Sequence, residues 1–250
     1  MRKSRSICAE CPALDNGLCQ ALHDDELSRL GGVTWQRKFP AGHVIHAEGE
    51  IPSSFCAVLS GVVKLTKSLP NGNQQIVGLV RNGDFLGRPF GGEARASAVA
   101  ASEVKLCLFP RASIEALAVQ SSAVKDWLFE HVADELEKAQ EWIMLLGRMT
   151  AEQKIAVFLL TVIRDQRTQE PDAKCPPAHI RVELPLSRTE IADYLGLTIE
   201  TVSRQITRLR ERKVVTVGNA RSMVLHQPEL LEAVVESAMP GERAREALRV

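Results

Sequence analysis

The stretch Leu186-Ser187-Arg188-Thr189-Glu190-Ile191-Ala192-Asp193-Tyr194-Leu195-Gly196-Leu197-Thr198-Ile199-Glu200-Thr201-Val202-Ser203-Arg204 contains two helix starts separated by a break. Ser187 and Glu190 form a capping box: the hydroxyl meets the Glu190 amide and the carboxylate reaches back, with Leu186 and Ile191 placed as a hydrophobic staple. Gly196 supplies the backbone freedom for a tight turn, and Thr198 caps a second helix two residues later. The predicted local structure is helix, turn, helix. On the second helix Val202, Ile206 and Leu209 recur at helical spacing and face a core, whereas Glu200, Ser203, Arg204 and Thr207 share another face, free to enter a groove.

Charge agrees with that assignment. Between Thr198 and Lys213 five basic residues (Arg204, Arg208, Arg210, Arg212, Lys213) stand against two acidic ones (Glu200, Glu211), in a 250-residue chain whose 31 Lys and Arg balance 31 Asp and Glu. The local excess fits phosphate contacts that orient a helix on a duplex. Val214 to Val217 and Ser222 to Leu225 then flank Gly218-Asn219-Ala220-Arg221 as a hairpin, and helix-turn-helix followed by a β-wing is a DNA-reading arrangement. Arg204 suits a bidentate pair with guanine, Glu200 can accept from cytosine N4, and Ser203 can touch a phosphate or a thymine edge. Thr198, Thr201 and Arg208 complete the candidate DNA-binding set.

Outward from this motif, 45% hydrophobic and 25% charged residues exclude a collagen, a low-complexity chain and an acidic tail, and the length suits two modules. No apolar run reaches the roughly 18 residues of a membrane span, and Met1-Arg2-Lys3-Ser4-Arg5 leads into cysteines instead of a signal core, so a cytoplasmic protein with no membrane partner is expected. Asp24 to Leu30 reads as a short helix. From Gly42 to about Cys107, strand-like runs such as Phe55 to Leu59 and Val63 to Thr66 are punctuated at Ser60-Gly61, Pro70-Asn71-Gly72 and Asn82-Gly83-Asp84, which suggests a small barrel or roll. After Pro110 no Gly or Pro occurs until Gly147, and Leu128, Val132, Leu136, Ala139, Ile143 and Leu146 fall at steps of three or four. That seam either packs on its own domain or pairs with its twin across a dimer axis. The polar, proline-bearing segment Gln166 to Ala178 reads as an exposed loop.

Of the six cysteines, Cys8, Cys11 and Cys19 are clustered and Cys56, Cys107 and Cys175 scattered. Clustered thiols in a reducing compartment more often bind metal or do redox chemistry than form bridges. Three of them plus one distant partner would complete the four-sulfur set that tetrahedral zinc and iron–sulfur clusters both accept, and spacing does not choose between the two. Cys56 reads as a buried small hydrophobe and Cys175 as a loop thiol, although either can stand in as the distant partner. Cys8-Ala9-Glu10-Cys11 has the C-x-x-C form without a surrounding βαβ pattern, and no P-loop or Ser-His-Asp arrangement occurs, so no enzyme is expected. His43 and His46, on an apparent strand, read as surface or core residues.

Gly83-Asp84-Phe85-Leu86-Gly87, the long helix and Leu195-Gly196-Leu197-Thr198-Ile199-Glu200-Thr201-Val202-Ser203-Arg204 resemble the bacterial cyclic-AMP receptor / fumarate-nitrate-reduction regulator family over nearly the whole chain. The resemblance implies an α+β fold: a cysteine segment over 1–22, a cyclic-nucleotide-binding-like jelly roll (β-roll) over 23–112, a dimerisation helix over 113–147 and a winged helix-turn-helix over 148–250. It implies a homodimer on a palindromic operator, where two-fold protein symmetry mirrors that of the DNA. The pattern Glu200-x-x-Ser203-Arg204 resembles the oxygen-responsive branch, which reads half-sites of the TTGAT type. That branch implies a [4Fe–4S] cluster on Cys8, Cys11, Cys19 and Cys107, since its distant ligand sits at a point similar to Lys105-Leu106-Cys107-Leu108. The gap between Cys11 and Cys19 is similar to that of photosynthetic and nitrogen-fixing alphaproteobacterial members. Oxygen attack on the cluster would release the N-terminal segment and weaken the dimer. The family also touches RNA polymerase, and the Asn82-Gly83-Asp84 turn resembles one such contact loop. An alternative within the family is a cyclic-nucleotide pocket at Gly92-Glu93-Ala94-Arg95-Ala96-Ser97-Ala98, with Arg95 on phosphate and Glu93 on a ribose hydroxyl. A zinc or thiol-redox protein is the alternative from another class.

Overall fold

A computed structural model describes residues 8, 11, 17–88, 90–169 and 179–238. The chain divides into two units, Met1–Asp134 and Glu135–Val250. In the first, a 3₁₀ turn at Gly17–Ala21 leads into helix α1 (Asp24–Gly31), where Glu26 accepts from the His23 amide at 3.0 Å. Eight strands follow: β1 (Trp35–Phe39), β2 (Val44–His46), β3 (Ser54–Ser60), β4 (Val63–Ser68), β5 (Gln74–Val80), β6 (Phe85–Leu86), β7 (Ser97–Ala100) and β8 (Val104–Pro110). They form two antiparallel four-stranded sheets, ordered β1-β8-β3-β6 and β2-β7-β4-β5, the roll that the turn-punctuated strands predict. Strand β1 lies ahead of the expected start at Gly42.

The first sheet is covered on both faces, and strand alternation sorts its residues. Cys56, Val58 and Leu106 face the second sheet with Val63, Val80 and Ala98. Phe55, Ala57, Cys107 and Phe109 face the other way, onto Leu18, Leu30, Ile114, Leu117 and Val124.

The helical stretch after Pro110 is two helices, α2 (Arg111–Gln120) and α3 (Ser122–Arg148). Neither Gly nor Pro makes the break. Ser121 has extended backbone (φ −106°, ψ 121°), and its hydroxyl accepts from the Val124 amide at 3.5 Å, so a serine cap competes with helix continuation.

The second unit holds the last turns of α3, then α4 (Ala151–Gln169), β9 (Ile180–Glu183), α5 (Arg188–Leu195), α6 (Ile199–Glu211), β10 (Val215–Val217), β11 (Ser222–Leu225) and α7 (Pro228–Ala238). The division between units therefore falls inside α3, whereas the expected boundary lay after residue 147. Helix α4 continues through Gln166 to Gln169, where the sequence pattern predicts a loop. Residues 170–178, with Cys175, lie outside the described residues. The predicted hairpin is β10 and β11, and β9 joins it as a third antiparallel strand in the order β10-β11-β9.

Gly196 ends α5 in the left-handed region (φ 61°), its amide bonded to Ala192 O. A Cβ there would meet only Leu146 Cδ2 at 3.6 Å, an ordinary contact, so the cost of a side chain is conformational. Gly196→Ala is expected to destabilise this unit by about 1–2 kcal/mol. The check is a thermal-unfolding midpoint lowered by a few degrees, roughly 2–8 °C for a unit of this size.

Candidate nucleic-acid interface and thiol cluster

The helix pair is held from three directions. The Ser187 hydroxyl accepts from the Glu190 amide at 3.3 Å and the Glu190 carboxylate accepts from the Ser187 amide at 2.7 Å, the predicted capping box. From α4, buried Lys154 donates to Leu195 O at 3.2 Å, placing a cation at the carbonyl end of α5, and burial lowers its pKa. From the wing, Arg221 donates to Pro185 O at 2.9 Å and pairs with Glu190 at 3.4 Å.

Helix α6 starts where Thr198 Oγ1 accepts from the Thr201 amide at 3.2 Å. Val202, Ile206 and Leu209 are buried as their spacing predicts, and Gln205 is buried beside them. Glu200, Ser203, Arg204 and Arg208 are exposed and Thr201 is half-buried. Its own backbone amide, the Thr198 hydroxyl and nearby Arg204 hold the Glu200 carboxyl below its ordinary range. Glu200 is thus an ionised acceptor at neutral pH. Arg212 pairs with Glu152 at 2.8 Å, whereas Arg208, Arg210 and Lys213 form no ion pair among the described residues. Sequence reasoning passed over Arg188 on the first turn of α5. Its Nη1 is buried with no hydrogen-bond partner and burial lowers its pKa, leaving a cation short of an acceptor. The signal available was a basic residue directly after an N-cap.

The thiols gather in the first unit. Cys8 and Cys107 are buried, Cys11 and Cys19 half-buried, and none of the four is in a disulfide. Cys11 and Cys19 pack against the cluster that contains Cys107, while Cys56 belongs to the opposite face of the sheet. Burial, then the charges of Cys8 and Cys11, push the Cys19 thiol up to about 12. Burial, then Cys11, Cys19, Cys8 and Cys56, raise Cys107 further. Cys56 is raised to about 12 by burial alone. Cys19 and Cys107 therefore sense the charge of their neighbouring thiols and stay protonated until something neutralises that charge. Among the described residues no group of three or more His, Cys, Asp or Glu is arranged to hold a metal ion. A single zinc needs its sulfurs about 2.3 Å from one point. A four-iron cubane gives each thiolate its own iron and so tolerates wider spacing, and four unbridged thiols are the donor set it takes.

Gly17 (φ 66°) seats this segment, since a Cβ there would lie 3.0 Å from Gly83 O and 4.0 Å from Trp127 Cζ2. Leu18 is buried in the core with Val124, and Trp127 and Leu128 pack on the same cluster. Along α3, Val132 (65% exposed), Leu136 (59%) and Ile143 (70%) point outward, Ala139 is exposed and Leu146 half-buried. Leu128 turns inward, and its neighbour Phe129 is 78% exposed. Phe129, Val132, Leu136, Ala139, Ile143 and Leu146 follow a strict alternation of three and four, the a/d repeat of a paired helix.

A family profile described as Cyclic nucleotide-binding domain matches residues 36–121, and one described as Crp-like helix-turn-helix domain matches 153–234. A Rhizobium leguminosarum bv. viciae protein described as a probable transcriptional activator is 40% identical over 230 residues, 92% of this chain and 93% of its own. The transcriptional activator protein FnrL of Cereibacter sphaeroides is 33% identical across 87% of each chain. The structure of FixK2 from Bradyrhizobium japonicum superimposes with a TM-score of 0.70 at 31% identity, covering 81% of this chain and 97% of that one.

The chain belongs to the CRP/FNR family of transcriptional regulators. As a CRP/FNR member with a Crp-like helix-turn-helix it binds DNA and is a regulator, not an enzyme. Among the described residues no helix is long and apolar enough to cross a membrane. Neither family profile reaches Cys8, Cys11 or Cys19. Glu93 and Arg95, the pair considered for a nucleotide, are both exposed.

Proposed function

We propose that this CRP/FNR protein is a cytoplasmic, oxygen-responsive transcriptional activator that binds a [4Fe–4S] cluster, dimerises and occupies a palindromic operator with TTGAT-type half-sites. The observation that carries the reading is the gathering of Cys8, Cys11 and Cys19 with Cys107 on one side of the roll, while Cys56 faces away. When bound, the cluster supplies oxygen-labile coordination that replaces four thiol protons. The rest is done by the chain. Cys19 fixes Leu18 and Leu22 against Val124, Trp127 and Leu128, which seats the first turns of α3. Phe129 and Val132 emerge from those turns to meet a second copy, and the apolar repeat continues through Leu136, Ala139, Ile143 and Leu146. On each copy Glu200, Ser203 and Arg204 read bases, while Thr198, Thr201 and Arg208 contact phosphates. The Asn82-Gly83-Asp84 turn is offered to RNA polymerase.

Anaerobic purification tests the sensor. Brown protein containing iron and acid-labile sulfide supports it, and colourless protein without iron overturns it. A cluster-free regulator is the second reading, favoured by the absence of a metal-holding arrangement among the described thiols. Arg204→Ala is expected to cost about 1–3 kcal/mol of operator affinity and to relax discrimination at the guanine it pairs with. Competition binding against half-site base variants checks this, and a uniform loss across all variants would remove Arg204 from base reading.

A further inference from the structure

The last turns of α3 belong to the same unit as the helix pair that faces DNA, because the division between units falls at Asp134/Glu135. What fastens them there is aromatic. Trp142 stacks on Tyr194 of α5 with ring centroids 4.2 Å apart and planes 24° apart, and Phe158 meets Tyr194 edge-on at 6.1 Å. Leu145 is buried, and Leu146 lies against Gly196 at the turn between α5 and α6. Trp142 Nε1 is buried without a hydrogen-bond partner, so the ring is held by its faces and not by its polar edge. Ile143, the next residue, is 70% exposed and lies about 100° around the helix on the apolar seam.

We infer that Trp142 is a positioning residue that sets the separation of the two DNA-reading helices in the dimer. The inference rests on the reading of a dimer on a palindrome. Consecutive residues cannot move independently: a second copy seated on Ile143 fixes the azimuth of α3, and the Trp142–Tyr194 stack passes that azimuth to α5. Through the Gly196 turn, α5 fixes α6. Each base pair added between half-sites moves them about 3.4 Å apart and rotates them by about 35°. A stiff joint therefore discriminates between spacings and a loose one tolerates them.

The experiment uses the full-length protein, anaerobically prepared, on palindromes whose half-sites are moved one and two base pairs together or apart. Wild type is expected to lose at least about tenfold in affinity for each base pair of displacement. Trp142→Leu, which removes the stack and leaves the seam, is expected to keep the wild-type dimer dissociation constant in sedimentation equilibrium. Its preference for the native spacing should shrink to about threefold or less. Trp142→Phe keeps a stacking ring and removes the unpartnered N–H; it should restore the wild-type preference with unfolding stability equal or higher. The inference is overturned if Trp142→Leu weakens binding equally at every spacing, or if Trp142→Phe behaves like Trp142→Leu. Wild type that binds isolated half-sites as tightly as palindromes would overturn the dimer reading and this inference with it. Wild type with a sharp spacing preference that Trp142→Leu retains would overturn this inference alone.

Discussion

Serine at Cys19 or Cys107 is expected to take the anaerobic protein from about four bound irons per chain to none, and to weaken its grip on the operator by at least about tenfold. Both thiols are held protonated by burial and by their neighbours, so ligation has to supply the energy for losing those protons. One oxygen ligand in place of sulfur removes a quarter of that donor set. Cys56→Ser is the control matched to Cys107: Cys56 is as buried as Cys107 but faces the second sheet, so iron content should persist. Iron and sulfide analysis beside gel-shift titration under nitrogen measures both effects. A Cys107→Ser protein that keeps its iron, or an iron-free one that keeps its affinity, would end the sensing account.

Ile143→Glu is expected to weaken dimerisation by a factor of at least about a hundred, while the single chain folds as before. Ile143 is 70% exposed in one copy, so a carboxylate costs the monomer little. At an a position of a paired helix, each copy would bring its own carboxylate to the axis, and an uncompensated buried charge costs about 3–5 kcal/mol. Sedimentation equilibrium and far-UV circular dichroism together separate loss of pairing from loss of folding. A variant that stays dimeric would move the interface away from this face of α3.

The helix pair was legible because every signal lies within a few residues of what it determines. Ser187 with Glu190, Gly196, and Thr198 with Thr201 act locally, and each performs as its chemistry predicts. The roll was legible as a class but not in its pairing. Strand β1 pairs with β8 through Trp35 and Leu108, more than seventy residues apart, and nothing local announces such a partner. Strand β9 escaped for the same reason, since its partner β11 lies some forty residues on. Periodicity found the apolar stripe of α3 but began it at Leu128, because a 3.6-residue repeat does not reveal that Leu128 packs with half-buried Trp127 on the cluster holding Leu18 while Phe129 is exposed. The break at Ser121 was hidden by the absence of Gly and Pro. The clustering of Cys8, Cys11 and Cys19 was legible in the sequence. Which face of the sheet Cys56 and Cys107 occupy needed the register, which pairs Ala57 with Cys107 and Cys56 with Leu108.

That register makes sulfur placement a matter of odd and even. Along β8 the side chains alternate between two layers, so a single residue gained or lost within the strand would send Cys107 into the interior between the sheets and present a leucine to the N-terminal thiols. A gain or loss of two would preserve the side while shifting the height. Which layer Cys107 occupies is therefore decided by the parity of the strand that carries it, whatever residues surround it.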